Sequence, residues 1–325
     1  MRVSRENLIS LAKKEAEKRA AEDGILSAYL IGSVATGEPV FGGSADVDLV
    51  LIHREHVPMA REFMPLSKDF HFDILHHPDE LYANPTALRI DPWLGPAMSA
   101  PIFLFDPEHF FERAQAGVRG QYHRVDYVHA RALGFLSRAR QFILNSSPAE
   151  NWVARVTQSL LEGANAAATL GGFPAAGRRL VPILQARLFD LGQENLYSAF
   201  QRLLGANQIK PFHLASWIAA WSKAVEAAAP SHDRFSNFRQ NYHADGFEIL
   251  LTSSDPNAIL WNLISEWNAA CLALPHEGEH HDAWHAALQV LRLDEEDQEQ
   301  RFDDLEIFLD QVEVFIERWA KKNGA

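Results

Sequence analysis

Residues 29–50 read Tyr29-Leu-Ile-Gly32-Ser33-Val-Ala-Thr-Gly37, a Gly/Pro-rich spacer, then Ser44-Ala-Asp46-Val-Asp48-Leu-Val50. The apolar run from Ala28 to Ile31 has the length of a buried strand, and Ser33 to Thr36 suits a helical turn. Pro39, Gly42 and Gly43 mark a loop leading to a second strand over 47–52. Alternation along that strand sends Asp46 and Asp48 to one face and points Val47 and Leu49 into a core. A third strand is expected over 70–75, with Phe70, Phe72 and Ile74 on one face and His71, Asp73 and Leu75 on the other.

Two carboxylates two residues apart on a strand converge on one point. Mg²⁺ accepts such a pair together with phosphate oxygens, because it prefers near-octahedral oxygen ligation and gives up its waters reluctantly. A third carboxylate on a neighbouring strand completes a two-metal clamp, and Asp73 fits that place. Upstream, Gly32 lets the backbone come close to a triphosphate. Ser33 presents a hydroxyl and an N–H at the start of a helical turn.

Together, Ile31-Gly32-Ser33, Gly37 and Ser44-Ala-Asp46-Val-Asp48-Leu-Val50 resemble the signature of the DNA polymerase β-like nucleotidyltransferase superfamily. Phe72-Asp73-Ile74 resembles its third-carboxylate strand. A small catalytic domain followed by a helical one is similar to the bacterial aminoglycoside nucleotidyltransferases. The resemblance implies transfer of a nucleoside monophosphate, usually AMP, from a nucleoside triphosphate to a hydroxyl of a small molecule, with one or two Mg²⁺ ions. Carried over by position, it implies Gly32, Ser33 and Ser44 as nucleotide contacts, and Asp46, Asp48 and Asp73 as metal ligands and catalytic residues. It does not choose a general base among Asp79, Glu80, Asp91, Asp106 and Asp73 itself. Two alternatives stand beside it: a protein-modifying nucleotidyltransferase of toxin–antitoxin type, and a nucleotide-binding protein without turnover.

The 325 residues exceed the size at which one core stops growing, so two domains are expected. The reading is α+β: a small mixed-sheet nucleotidyltransferase domain over 1–120, then an all-α helical-bundle domain over 121–325 that selects the acceptor. Within the first domain, a helix over 4–22 capped by Ser4 and ended by Asp23-Gly24 precedes the first strand. Residues 78–100 read as loop-rich, and 101–105 as a further strand. Beyond it, helices are expected over 125–144, 151–170, 178–190, 195–204, 211–228, 257–274, 281–292 and 301–321, with prolines such as Pro148 near their boundaries. A formal net charge of −13 argues against nucleic acid as a partner and suits a cationic acceptor. The single cysteine, Cys271, forms no internal disulfide. With neither a signal-like apolar core at the N-terminus nor an 18-residue apolar run, a cytoplasmic protein without membrane partners is expected.

Other patterns carry less. His276-Glu-Gly-Glu-His280 satisfies the H-E-x-x-H zinc pattern, yet Pro275 and Gly278 oppose the regular helix it needs, while His280, His281 and His285 offer only adventitious metal binding. Arg124 and His129 match a ribonuclease-like spacing that is common by chance. Arg138, Arg140, Arg178 and Arg179 can serve phosphates but more often pair with carboxylates. The tryptophans at 152, 217, 221, 261, 267, 284 and 319 fall at helical spacing and are read as core.

Overall fold

A computed structural model describes residues 4–21, 24–38, 40–144, 151–275 and 277–325. Asp23, Pro39, Pro148 and His276, to which the sequence reading gave a helix stop, a loop, a helix boundary and half of a zinc motif, lie outside them. The protein is α+β, with one five-stranded mixed sheet among the described residues and many helices. It divides into two compact units, Met1–Tyr127 and Val128–Ala325. Within the first unit the Arg89 guanidinium donates to the Gly117 carbonyl and lies over the Tyr127 ring.

The first unit opens with α1 (Arg5–Ala20), whose N-cap Ser4 accepts from the Asn7 N–H. The strands are β1 (Ile25–Leu30), β2 (Ala45–His53), β3 (Arg61–Pro65), β4 (Phe70–Pro78) and β5 (Ile102–Phe105), in the order β3-β4-β2-β1-β5. Only β2 and β4 pair in parallel, with Asp48 beside Asp73; the other pairings are antiparallel. Between β1 and β2 stands the short helix α2 (Gly32–Thr36). Arg5 of α1 donates to the Val34 and Ala35 carbonyls at its C-terminal end, which satisfies acceptors that a helix this short leaves open.

Each face of the sheet has its own core. On one, Leu8, Ala12 and Ala16 of α1 pack on Ala28, Leu30, Val47, Leu49, Leu51, Phe72 and Ile74. The other is covered beyond β4 by a 3₁₀ turn (Asp79–Tyr82), α3 (Pro85–Ile90), α4 (Leu94–Ser99) and α5 (Phe110–Arg119), whose Tyr82, Leu88, Met98, Phe111 and Val118 bury Tyr29, Val50 and Ile52. Residues 78–100, expected to be loop-rich, thus carry a 3₁₀ turn and two short helices joined by brief connections. Pro85 begins a helix, where its missing N–H costs nothing, and Asn84 caps it by accepting from the Thr86 and Ala87 N–H groups.

The second unit contains most of α6 (Val125–Leu144) and then α7 (Trp152–Ala168), α8 (Leu180–Asp190), α9 (Glu194–Leu203), α10 (Pro211–Ala228), α11 (Asn237–Leu251), α12 (Ile259–Ala273), α13 (Glu279–Leu291) and α14 (Gln298–Asn323). Helix α7 is buried on almost every side and packs against α8, α12 and α14. Trp217, Trp221, Trp261, Trp267 and Trp284 are buried in this unit, whereas Trp152 and Trp319 are only partly covered. The sequence reading missed α11. Its buried face is Arg239, Tyr242, His243, Gly246, Phe247 and Leu250, spaced as a helix but with polar residues and a glycine breaking the apolar pattern.

Candidate metal and phosphate site

Asp46 and Asp48 sit near the start of β2, on the same face, and Asp73 lies beside Asp48 across the parallel ladder. One carboxylate oxygen from each of the three comes within 4.8 Å of the other two. Asp46 and Asp48 are partly exposed, while Asp73 is buried at 2% exposure. The cluster owes its place to period-two alternation on β2 and β4 and to their in-register pairing.

The chain turns over this cluster at Gly32. Its φ is +70°, a left-handed conformation that glycine adopts without steric cost. A β-carbon here would lie 1.9 Å from Asp48 Oδ2 and 2.8 Å from its Cγ, so the missing side chain is the space that the Asp48 carboxylate fills. The Ile31 N–H donates to the Asp48 carbonyl at 3.0 Å and ties the turn to β2. Ser33, partly exposed, follows in the first turn of α2. Gly32 thus shapes the carboxylate site as well as the turn.

One arginine faces all three carboxylates. Arg61 of β3 donates from Nε to Asp73 Oδ1 at 2.6 Å and from Nη2 to Asp73 Oδ2, a bidentate pair. Its guanidinium also lies over the Phe63 ring, 5.0 Å from the centroid. Burial works against its charge, but the hydrogen bonds and charge of Asp73, then the charges of Asp48 and Asp46, outweigh burial and hold Arg61 more firmly protonated than usual. The sequence reading did not find Arg61, because β3 is an edge strand without a buried face and ends at Pro65.

Other expected residues are placed elsewhere. Ser44, expected among the nucleotide contacts, is fully buried where a bridge to Phe41 closes the loop before β2. Two of the candidate bases hold up the chain instead. Asp91 accepts from the Trp93 and Leu94 N–H groups, and Asp106 accepts from those of Phe111 and Glu112 at the start of α5. Asp79 and Glu80 lie in the 3₁₀ turn directly after β4. Helix α13 begins only at Glu279, after Gly278 at φ +118°, so Glu277 and His280 do not share a helix as a zinc motif requires. Arg124 pairs with Asp126, and Arg140 with Asp310 and Glu313. Arg178 places its Cζ over the Tyr242 ring, 3.4 Å from its centroid, and donates to the Tyr242 carbonyl.

Three hard oxygen donors in one cluster suit Mg²⁺ or Mn²⁺ over softer metals. The fit is in the donor chemistry and in the glycine cradle that brings one carboxylate tight against the turn. Among the described residues, no helix is long and apolar enough to cross a membrane. Scanned against models of known protein families the chain matches none, and a search of the curated proteins finds no match to it.

Proposed function

We propose that the protein is a Mg²⁺-dependent nucleotidyltransferase of the polymerase β-like kind, built as a small catalytic domain followed by a helical acceptor domain. It would move a nucleoside monophosphate, AMP in the first instance, from a nucleoside triphosphate to a hydroxyl of a small molecule. The observation that carries the reading is the convergence of Asp46, Asp48 and Asp73 within 4.8 Å on one sheet face, beside the Gly32-Ser33 turn.

The chemistry divides into a donor and an acceptor half. On the donor side, the exposed backbone at Gly32 and the Ser33 hydroxyl would take the triphosphate oxygens, with Asp48 directly against Gly32. When bound, Mg²⁺ supplies charge neutralisation for the leaving pyrophosphate and lowers the pKa of the attacking hydroxyl. The new bond joins the acceptor oxygen to the α-phosphorus, the α–β phosphoanhydride breaks, and pyrophosphate leaves. Asp73, buried and next to Asp48, would receive the hydroxyl's proton directly or hold the group that does.

The test is release of pyrophosphate from each of the common nucleoside triphosphates, with a panel of hydroxyl-bearing acceptors and Mg²⁺. Asp46→Asn and Asp48→Asn should each lower turnover by about a thousandfold, the effect of removing several kcal/mol of charge stabilisation. Chelation of the metal should do the same to the wild-type protein. Full turnover in either variant would overturn the reading.

A further inference from the structure

Asp73 and Arg61 form an asymmetric pair. The Asp73 side chain is 2% exposed and cannot leave its strand, whereas the Arg61 side chain is 50% exposed on the edge strand β3. Both oxygens of Asp73 accept from the same guanidinium. A buried carboxylate does not tolerate the loss of its partner unless another cation takes over. A divalent ion shared by Asp46, Asp48 and Asp73 would be such a cation, and it would repel a guanidinium held this close. One partner can move and the other cannot, so the arginine must yield.

We propose that Arg61 is a built-in competitor for divalent metal at Asp73, so that Asp73 joins the metal site only when Arg61 releases it. This rests on the metal reading of the three carboxylates. Asp46 and Asp48, which Arg61 does not grip in this way, take a metal without displacing it. Ligation by Asp73 comes second and is weaker by whatever the arginine pair is worth. An anionic triphosphate above the same face would draw the released guanidinium toward itself, so donor and metal would favour each other's binding. Arg61 is thereby a positioning residue: it sets when Asp73 is available and does no chemistry itself.

The experiment measures Mn²⁺ alone, by titration calorimetry and electron paramagnetic resonance, on the full chain without nucleotide. Wild-type protein, Arg61→Gln, Arg61→Lys, Asp46→Asn, Asp73→Asn and the Arg61→Gln/Asp73→Asn double variant are compared, with thermal unfolding as a check on folding. Arg61→Gln should bind Mn²⁺ about tenfold more tightly, or take up a second ion, as expected when one charge-assisted bidentate pair no longer has to be broken. Arg61→Lys keeps the charge but not the fork and should fall between the two, which keeps the test alive if the glutamine variant folds poorly. In the Asp73→Asn background the gain should vanish. If it persists there, the effect is general electrostatics and the proposal is overturned. It is also overturned if wild-type Mn²⁺ binding is lost in Asp46→Asn yet does not respond to Arg61, a result that leaves the metal reading standing. Absence of Mn²⁺ binding in wild type and in Arg61→Gln alike would overturn both.

Discussion

The two ends of one sheet face, built from the same strands, do opposite things. Near the start of β2 and along β4 the face carries Asp46, Asp48 and Asp73, answered by the half-exposed Arg61. A few residues along the same strands it carries Val50 and Ile52, sealed with Tyr29 of β1 under Tyr82 and Phe111. There Tyr29 and Phe111 stack at 4.0 Å, and the Tyr82 hydroxyl meets those of Tyr29 and the His77 ring nitrogen, each at 2.6 Å. Alternation assigns side chains to the face at both ends. What separates them is the cover, since α3, α4 and α5 close over one end. At the other end Asp46 and Asp48 stay partly exposed.

That contrast can be broken most sharply at Gly32. Gly32→Ala would drive a methyl group into the Asp48 carboxylate and strain a left-handed residue, so pyrophosphate release should fall about a hundredfold or more. Its cost in stability should be only about 1–2 kcal/mol, read from chemical denaturation. A variant with full turnover would show that the position of Asp48 does not matter. The aromatic end should behave in the opposite way. Phe111→Ala removes a fully buried ring and should cost about 3–5 kcal/mol of stability, while Mn²⁺ affinity, measured below the unfolding range, stays as it was. Loss of metal binding in the folded variant would mean that the two ends are not separable.

The smallest effect is one of pH. Burial, with the neighbouring His76 charge in second place, lowers the His77 pKa from 6.5 to about 4. The native state therefore resists the proton that the unfolded chain accepts, and stability should decline as pH falls from about 6.5 toward 4 and level off below. For a partly exposed group the loss should be about 1–2 kcal/mol, and His77→Gln should flatten that part of the stability–pH curve. An unchanged slope in the variant would assign the decline to other groups.

The sequence was most legible where one residue type does one job. Asp46 and Asp48 stand out because carboxylates interrupt an otherwise apolar strand, and Asp73 follows from alternation with Phe72 and Ile74. Legibility failed where polar residues occupy buried places or structural residues occupy exposed ones. Helix α11 buries Arg239, His243 and Gly246 between Tyr242, Phe247 and Leu250, so the apolar stripe at its 3.6-residue period is interrupted. Strand β3 has no buried face, so Arg61 gave no signal. Gly32 was read as room for a phosphate. The carboxylate that fills that room comes from 16 residues further along, and only the folded chain brings the two together.

The connection of β3 to β4 has a consequence for how this site is assembled. Arg61 and Asp73 belong to one hairpin, closed by the Ser67 hydroxyl, which accepts from the Asp69 and Phe70 N–H groups. A hairpin closes a short loop and forms locally, whereas the parallel pairing of β2 with β4 joins segments more distant in the chain. The third carboxylate can thus reach the other two with its charge already balanced. The same arginine that we propose to stand in the metal's way would also offset part of the repulsion when the folding chain brings three carboxylates together.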